Sequence, residues 1–260
     1  MGTHSESDLQ YSERTVVNVI MPVYNGIKNY PEGMLAQNIL NTLAQDNEHL
    51  EVNLIVIDNG STDGTYKFLY GAFGSRINII PLMHNVGMAN AASIGLDVAY
   101  GEYSIIQSVR SWYHPDSLEI MANALNNDPY IGFVYGKTQY HGELNHLHSP
   151  GEYRKEDFYK SFKSLFGYMY RTNAYSRGCR YIPFIYRDGL WYDMADRDFQ
   201  MQMIENLGWN GYCLDELVLH YYYGGEQMTK KMKKYQKDLD TIWKARWPNI
   251  TGGFGGNEIS

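Results

Sequence analysis

The chain has 260 residues, 44% of them hydrophobic, and a formal net charge of −7. This length and composition allow a sizeable core, and the acidic balance argues against a broad contact with a nucleic-acid backbone. No apolar run reaches the roughly 18 residues of a transmembrane helix, and the polar N-terminal segment lacks the apolar part of a secretory signal. The two cysteines, Cys179 and Cys213, form no metal-type pair, which fits a reducing compartment. We therefore expect a cytoplasmic protein that does not bind nucleic acid.

The first predicted strand lies near residues 16–21 and leads into a turn. The run VVNVIMPVYNG is apolar up to Pro22 and Val23, then turns at Tyr24 and Asn25, and a helix pattern follows near 33–45. Continuous apolar strands of this kind are typical of a parallel sheet that is buried on both faces. The turn after the strand is therefore a candidate ligand site, because open α/β sheets bind ligands beyond the carboxyl ends of their strands.

The second predicted strand, near 51–57, ends in the sequence LIVIDNGSTDGT. Asp58 stands at its carboxyl end, Asn59 and Gly60 form a tight turn, and Asp63 is placed to cap a helix near 63–72. A carboxylate at Asp58 can accept the ring N–H of a uracil or guanine base. The alternative is an ordinary turn between a strand and a helix.

Two further segments continue the alternation of strands and helices. After a strand near 77–80, the run HNVGMANAASIGL places Asn85 and Gly87 just before a helix near 87–99. The run GEYSIIQSVRSWYHPDSL gives a strand near 103–107, a polar break, and a helix near 115–126, after which a strand is expected near 131–138. Such alternation predicts a mostly parallel sheet with right-handed crossovers.

In order and spacing these four segments resemble the donor-binding half of family-2 glycosyltransferases with the GT-A fold. That pattern reads PxYN, then xxDxGSxDGT, then NxGxxxAxNxG, then GEYxxFLDxDDWxxPxxL, and the resemblance extends over residues 16–220. It implies a GT-A-like α/β domain, with a mostly parallel sheet flanked by helices. It also implies an inverting enzyme that moves a sugar from a nucleotide sugar to a hydroxyl group on a glycan or lipid carrier.

The resemblance implies which residues bind the donor. A UDP-sugar is the first expectation, with GDP- or dTDP-sugars as alternatives. The residues expected to hold the nucleotide are Pro22, Val23, Tyr24, Asn25, Asp58, Asn59, Gly60, Asn85 and Gly87.

The family's metal-binding Asp-x-Asp motif is replaced in this chain. The alignment puts Ser108 and Arg110 where the two carboxylates would stand. Divalent ions prefer anionic oxygen ligands, whereas a guanidinium matches phosphate oxygens. We therefore expect no metal, with Ser108 and Arg110 contacting the diphosphate in its place. The alternatives are a pseudoenzyme that retains the fold without turnover, and a substitution peculiar to this copy.

The expected catalytic base lies in the run MADRDFQM, which together with Gly208 and Trp209 resembles the family's EDxDLxLRLxxxGW. Ala195 takes the place of the first glutamate, and Asp196 takes the catalytic position, where a carboxylate removes the acceptor's hydroxyl proton. Asp198 is the second choice. An acidic helix N-terminus favoured by the helix dipole is the structural alternative for both.

Several histidines are also candidates for phosphate or metal contact. In the resembled family a histidine at the position of His220 reaches the metal or the diphosphate, and without the carboxylates phosphate contact remains. His141, His146 and His148 lie around a predicted hairpin with its turn at residues 139–143, and their spacing fits no strong zinc signature.

The chain contains 24 tyrosines and five tryptophans. Aromatic rings stack on sugars and nucleobases, although many tyrosines are simply core or rim residues. Four aromatic residues beside the predicted catalytic segments are expected to contact substrate: Trp112, Tyr113, Trp191 and Tyr192.

We expect a flexible N-terminus (1–14), one catalytic domain (15–225, with donor half 15–112 and acceptor half 113–225), an amphipathic C-terminal helix (226–247) and a flexible tail (248–260). The basic face of that helix makes peripheral contact with an anionic membrane an alternative to simple solvation. Two other functions stay open: a catalytically silent protein that binds sugar nucleotides or glycans, and a nucleotidyltransferase. The latter lacks its usual glycine-rich, lysine-bearing phosphate loop here. The sequence leaves the oligomeric state open.

Overall fold

The computed structural model describes residues 14–160, 167–187, 189–192, 194–225 and 233–251, and of residues 190–192 it describes the backbone alone. The strands are β1 (Thr15–Val23), β2 (Leu50–Asp58), β3 (Asn78–Pro81), β4 (Tyr103–Ile106), β5 (Ser111–Tyr113), β6 (Ile131–Gly142), β7 (Leu147–His148), β8 (Met169–Arg171), β9 (Ile185–Arg187), β10 (Leu190–Tyr192) and β11 (Asn210–Tyr223). The helices are α1 (Met34–Leu43), α2 (Thr65–Phe73), α3 (Met88–Asp97), α4 (Ser117–Asn127), α5 (Lys155–Lys160), α6 (Asn173–Ser176), α7 (Ala195–Leu207) and α8 (Gln236–Arg246). The α/β fold predicted from the alternating pattern is confirmed.

The main sheet has the strand order β3-β2-β1-β4-β8-β6-β11-β5. Strands β3, β2, β1 and β4 are parallel, as their continuous apolar runs predicted. Because β8 is antiparallel to both β4 and β6, and β11 is parallel to β6, strands β6 and β11 run in the same direction as β4. The carboxyl ends of β1, β2, β4, β6 and β11 therefore lie along one side of the sheet, which we call the carboxyl edge.

A ladder of amide side chains crosses the parallel strands, buried at Asn18 and Asn53 and exposed at Asn78. The Asn78 amide donates to Asn53 Oδ1 (2.7 Å), and the Asn53 amide donates to Asn18 Oδ1 (2.9 Å). Asn18 in turn donates to the backbone carbonyl of Tyr103 (3.0 Å) in β4. Buried amides are costly unless they are hydrogen-bonded, and a shift of one residue would break these bonds. The ladder therefore fixes the register that aligns the carboxyl edge.

The predicted hairpin after Gly136 exists, but its position was wrong. β6 continues to Gly142 because its distal half pairs with both β11 and β7, and the turn lies at residues 143–146. The segment that was expected to be a polar break followed by Trp112 and Tyr113 contains the short strand β5, which pairs antiparallel with β11. The second half of β11 thus lies between β5 and β6.

The C-terminal segment contains a helix within the range 226–247. A 3₁₀ turn at Lys233–Tyr235 leads into α8, whose Leu239 and Trp243 are 0% and 1% exposed. Ile242 is 36% exposed and lies off that buried face. Residues 226–232 of the predicted helix lie outside the described residues. No helix within the described ranges is both long and apolar enough to cross a bilayer.

Candidate active site at the carboxyl edge

The turns after β1 and β2 are hydrogen-bonded to each other. The backbone N–H of Asn25 donates to Ser61 Oγ (2.8 Å), and the N–H of Thr62 donates to Asn25 Oδ1 (2.8 Å). The N–H of Asn59 donates to the carbonyl of Val23 (2.7 Å). Asn25 has a φ of 49°, a left-handed conformation that asparagine tolerates better than most residues. These bonds hold the two predicted nucleotide-binding turns side by side.

Asp58 ends β2 within this arrangement and is 3% exposed. Its Oδ1 accepts the backbone N–H of Ser61 (3.1 Å), which orients the carboxylate. Pro22 and Val23 belong to β1, opposite Ile57 and Asp58, so the strand extends past its predicted end. The Val23 side chain is 0% exposed and packs in the core, which leaves only its backbone for ligand contact. Tyr24 is 37% exposed.

The loop before α3 joins the same arrangement through Asn59. The Asn59 side chain accepts the N–H of Val86 (2.9 Å) and donates to Asn85 Oδ1 (3.2 Å), and that oxygen also accepts the N–H of Gly87 (2.9 Å). Gly60 has a φ of 74°, and a Cβ there would lie 2.4 Å from the carbonyl carbon of His84. Only glycine fits so close an approach.

Asp63 caps α2 as predicted, and it also binds the β1 turn. Its Oδ1 accepts the N–H of Thr65 (3.1 Å), and its Oδ2 accepts the N–H groups of Ile27 (3.1 Å) and Lys28 (2.8 Å). Burial opposes ionisation, but these bonds outweigh it and lower the pKa of Asp63. The role of Asp63 is therefore structural.

The turn between β4 and β5 carries Ser108 and Arg110. The N–H of Arg110 donates to Ser108 Oγ (3.1 Å), and the guanidinium donates to the carbonyl of Gly224 (2.5 Å) while lying 5.3 Å from the Tyr30 ring centre. A hydroxyl and a guanidinium do not form a binding site for a hard divalent cation. Ser108 is exposed, and the turn places a positive charge at the carboxyl edge.

Three histidines form a hydrogen-bonded row beside this turn. His114 Nδ1 lies 3.2 Å from His220 Nε2, and His141 Nε2 lies 3.0 Å from His220 Nδ1. Trp112 stacks on His220, with ring centres 5.3 Å apart, and on His141, at 5.0 Å. Burial, followed by the proximity of His141 and His114, lowers the pKa of His220. No cluster of three or more acidic, histidine or cysteine side chains within the described residues has a geometry suited to a metal ion.

Asp196 lies in the first turn of α7 and is linked to the carboxyl edge by Tyr168. The Tyr168 hydroxyl donates to the backbone carbonyl of Asp196 (3.0 Å). Because Met169 pairs with Ile105, the preceding Tyr168 stands beside the end of β4. Burial, and after it the charge of Asp196, holds the pKa of Tyr168 well above its usual value, so the phenol remains a donor. Asp196 is half-buried.

Asp198 has a different environment, which corrects its candidacy as a catalytic residue. It is 0% exposed, and its carboxylate accepts hydrogen bonds from Arg246 (2.5 Å), Trp247 (2.8 Å) and Gln202 (2.7 Å). An acceptor substrate has no access to this group. Asp198 instead binds the end of α8 to α7, because its position two residues beyond Asp196 directs its side chain toward the C-terminal segment.

The two aromatic residues of β5 that were predicted to contact substrate, Trp112 and Tyr113, lie in different environments. Alternation puts Trp112 and Tyr113 on opposite faces of the strand. Trp112 stacks on the histidines, whereas Tyr113 is 1% exposed in the core, so its expected substrate contact is corrected. Trp191 and Tyr192 lie in the β9–β10 hairpin, with Trp191 paired to Tyr186, and their side chains lie outside the described part of the chain. Their substrate contact stays a prediction.

Sequence reasoning missed Tyr168, His114 and the pairing of His141 with His220. The predicted hairpin placed His141 in a loop, whereas it lies in β6, two positions past Gln139, which is opposite His220. The two-residue alternation along the unexpectedly long β6 was the signal available for it. No comparable local signal marks Tyr168, because its partner Asp196 is 28 residues away.

Comparison with known proteins identifies the family. The sequence pattern that defines glycosyl transferase family 2 matches residues 18–185, well over half of the chain. An uncharacterized glycosyltransferase of Haemophilus influenzae is 34% identical over 110 residues, which are 42% of this chain and 41% of that protein. The putative teichuronic acid biosynthesis glycosyltransferase TuaG of Bacillus subtilis is 32% identical over 108 residues, 41% of this chain and 40% of that protein. The chain thus spans about two fifths of these relatives.

Solved structures agree in fold. The S. aureus TarS 1-349 crystal structure in complex with UDP-GlcNAc has a TM-score of 0.65 and 17% identity, covering 88% of this chain and 67% of that one. The mannosyltransferase PcManGT from Pyrobaculum calidifontis, in complex with GDP-Man and Mn²⁺, has a TM-score of 0.63 and 16% identity, covering 90% and 65%. These identities support the shared GT-A-like fold alone. From the family pattern across residues 18–185, together with this fold, it follows that the chain belongs to glycosyl transferase family 2.

Proposed function

We propose that this protein is an inverting glycosyltransferase that moves a sugar from a nucleotide sugar to a hydroxyl group on a glycan or lipid carrier, without a divalent metal. One observation supports the proposal: the turns at the carboxyl edge carry Asp58 and Arg110, and Tyr168, which stands beside the end of β4, is hydrogen-bonded to the backbone of Asp196. The side chains of Asp58, Arg110 and Asp196 suit the base, the diphosphate and the acceptor.

The reaction needs two charges at opposite sides of the anomeric carbon. The acceptor oxygen attacks that carbon and forms the new glycosidic bond, while the bond to the diphosphate breaks and its electron pair leaves with the diphosphate. The acceptor proton passes to the carboxylate of Asp196, which acts as general base. Arg110 offers a fork of N–H donors to the departing phosphate oxygens. Inversion follows from this single displacement.

A UDP-sugar is the preferred donor. The N3–H of uracil is a donor that a carboxylate at the end of β2 can accept, and guanine offers a comparable N–H, so a GDP-sugar is the alternative. The TarS structure was solved with UDP-GlcNAc and the PcManGT structure with GDP-Man and Mn²⁺. Ser108 and Arg110 do not suit such an ion, so we propose that the cation of this chain is a side chain.

The decisive experiment replaces Asp196 by asparagine. The amide cannot take a proton, so transfer should fall at least ~100-fold, the low end for loss of a general base. Binding of UDP and the melting temperature should change little, because Tyr168 contacts the backbone of Asp196. Radiolabelled sugar transfer and calorimetry, run in chelator, measure both.

Asp198→Asn is the matched control on the same helix. It should lower the melting temperature, because it weakens the bonds to Arg246 and Trp247, while transfer per folded molecule stays close to that of the unchanged protein. The reverse pattern would show that the base is misassigned. UDP binding without transfer to any acceptor, in the unchanged protein, would favour the catalytically silent alternative.

A further inference from the structure

The histidine row lies on one face of the three-stranded part of the sheet formed by β5, β11 and β6. His220 is paired with Trp112 on one side and with Gln139 on the other, so the three side chains share a face. His114 and His141 lie two residues beyond those partners and, by alternation, on the same face. The opposite face, with Tyr113, is core. The row therefore lies outside the core, with His114 exposed and His220 and His141 half-buried.

The backbone of Arg110 lies beside Tyr222, two residues along β11 from His220. The N–H of Tyr222 donates to the carbonyl of Arg110 (2.8 Å), and Tyr222 is paired with His141. The titratable groups that face His220 are thus His114 from the β5 side and His141 from the β6 side, while the guanidinium of Arg110 lies at Tyr30 and Gly224. Glu143, beyond the end of β6, accepts the N–H of Gly225 (3.0 Å).

The hydrogen bonds limit how this row can carry charge. Each of the two N···N contacts needs one N–H donor and one lone pair, which three neutral imidazoles supply. An added proton can be shared along the row, whereas a second would place two imidazolium rings in contact. Trp112, stacked on His220 with an interplanar angle of 5° and on His141, offers its ring face to the cation.

We propose that His114, His220 and His141 act as one protonatable unit that takes up a proton when a nucleoside diphosphate binds, and so adds to the carboxyl edge a second positive charge besides that of Arg110. The inference rests on the proposed function, because it assumes that the diphosphate lies at the carboxyl edge. It goes further in assigning His114 and His141 to diphosphate binding and in making that binding dependent on pH.

The sign of the dependence follows from the free protein. Burial and the neighbouring histidines lower the pKa of His220 in the free protein, which favours its neutral form without ligand. Anionic phosphate oxygens favour the protonated form and raise the pKa of the row on binding. Affinity for diphosphate should therefore be highest below the pKa of the free row and should fall as pH rises through the pKa of the bound row.

Calorimetry with UDP and with uridine, in chelator, tests this. In buffers of different ionisation enthalpy at pH 7.5, UDP binding should take up as much as about one proton per site. UDP affinity should fall about tenfold from pH 6 to pH 8, since one pKa unit corresponds to a factor of ten. Uridine should show neither effect.

His114→Gln and His141→Gln keep a hydrogen-bonding side chain but cannot hold the charge. Each should reduce the proton uptake and flatten the pH dependence. His49→Gln is the control, because His49 lies before β2, at the other end of the strand, near Glu48. UDP has a phosphate proton of its own, so each variant is compared with the unchanged protein, and melting temperatures at both pH values show that the variants are folded.

The outcomes separate the two proposals. Equal proton uptake and equal pH dependence in all four proteins would overturn the histidine row while leaving the proposed function intact. Absence of binding by both UDP and uridine would overturn the proposed function, and the row with it. Zn²⁺ binding that requires all three histidines and raises UDP affinity would replace the proton by a metal and overturn the inference.

Discussion

The turn after β2 and the turn after β4 both stand at the carboxyl edge, but their polar groups are used differently. The side chains of Asp58 and Asn59 accept backbone N–H groups from their own turn and from the loop before α3. Around Arg110 the side chains are cationic or protonatable, and they reach across to β11 and Gly224. The first turn therefore offers fixed hydrogen-bonding geometry, and the second offers positive charge.

Under the proposed function, the two turns would bind different parts of the nucleotide. A base and a ribose are neutral and need fixed hydrogen-bonding geometry, which a rigid set of bonded loops provides. A diphosphate is anionic and needs positive charge, which can come from an ion or from side chains. We therefore expect variants in the two turns to divide the binding of UDP into two independent parts.

Replacing Arg110 should give the largest loss of binding. Arg110→Ala removes a charge and a bidentate donor, so UDP affinity should fall by about 3 kcal/mol, the upper range for a hydrogen bond to a charged group. Uridine affinity should stay unchanged, and Arg110→Lys should recover only part of the loss, since lysine lacks the planar fork. Calorimetry in chelator measures all three.

Arg76→Ala, at an exposed arginine before β3, is the control for general charge loss. Because Arg110 also binds the Gly224 carbonyl, melting temperatures accompany each titration. Recovery of UDP affinity in Arg110→Ala on addition of Mn²⁺, or loss of activity in chelator for the unchanged protein, would show that other residues bind an ion and that Arg110 is incidental.

Replacing Asp58 tests the other side of the comparison. Asp58→Ala should weaken UDP binding by about 1.5–3 kcal/mol, the range for a hydrogen bond to a charged group, and should weaken uridine binding equally. Asp58→Asn keeps one acceptor oxygen and should lose less. If the Ala variant weakened UDP but left uridine unaffected, Asp58 would act on the diphosphate, and the division between the turns would fail.

The success of the sequence-based predictions also differs between parts of the molecule. Strands β1 to β4 and their helices were predicted within a few residues, because a strand buried on both faces is a continuous apolar run and the following turn has its own glycine and asparagine signals. The residues at these turns were therefore predictable. A role for Arg110 could be proposed because the alignment puts this cationic residue where the family pattern has a carboxylate.

The remaining parts depend on contacts between distant residues. β5 has only three residues and exists because β11 pairs with it, which no local pattern indicates. The different environments of Asp196 and Asp198 likewise depend on Tyr168 and on Arg246, which are 28 and 48 residues away. Their spacing predicted two acids at a helix start, but it could not indicate which one is buried.

The smallest expected effect concerns the bonds within the base-binding turns. Ser61→Ala removes the oxygen that accepts the N–H of Asn25, so the free energy of unfolding should fall by about 1 kcal/mol, the usual worth of one such bond. Thr62→Ala is the control, because Thr62 joins this set through its backbone N–H and its side chain is exposed. Denaturant unfolding with and without UDP measures both variants. If the turns are held by their own bonds, UDP should stabilise Ser61→Ala by slightly less than it stabilises Thr62→Ala, since binding must then also order the turn after β1. Equal stability and equal UDP effects in the two variants would mean that the ligand, rather than the Asn25–Ser61 bond, organises this turn.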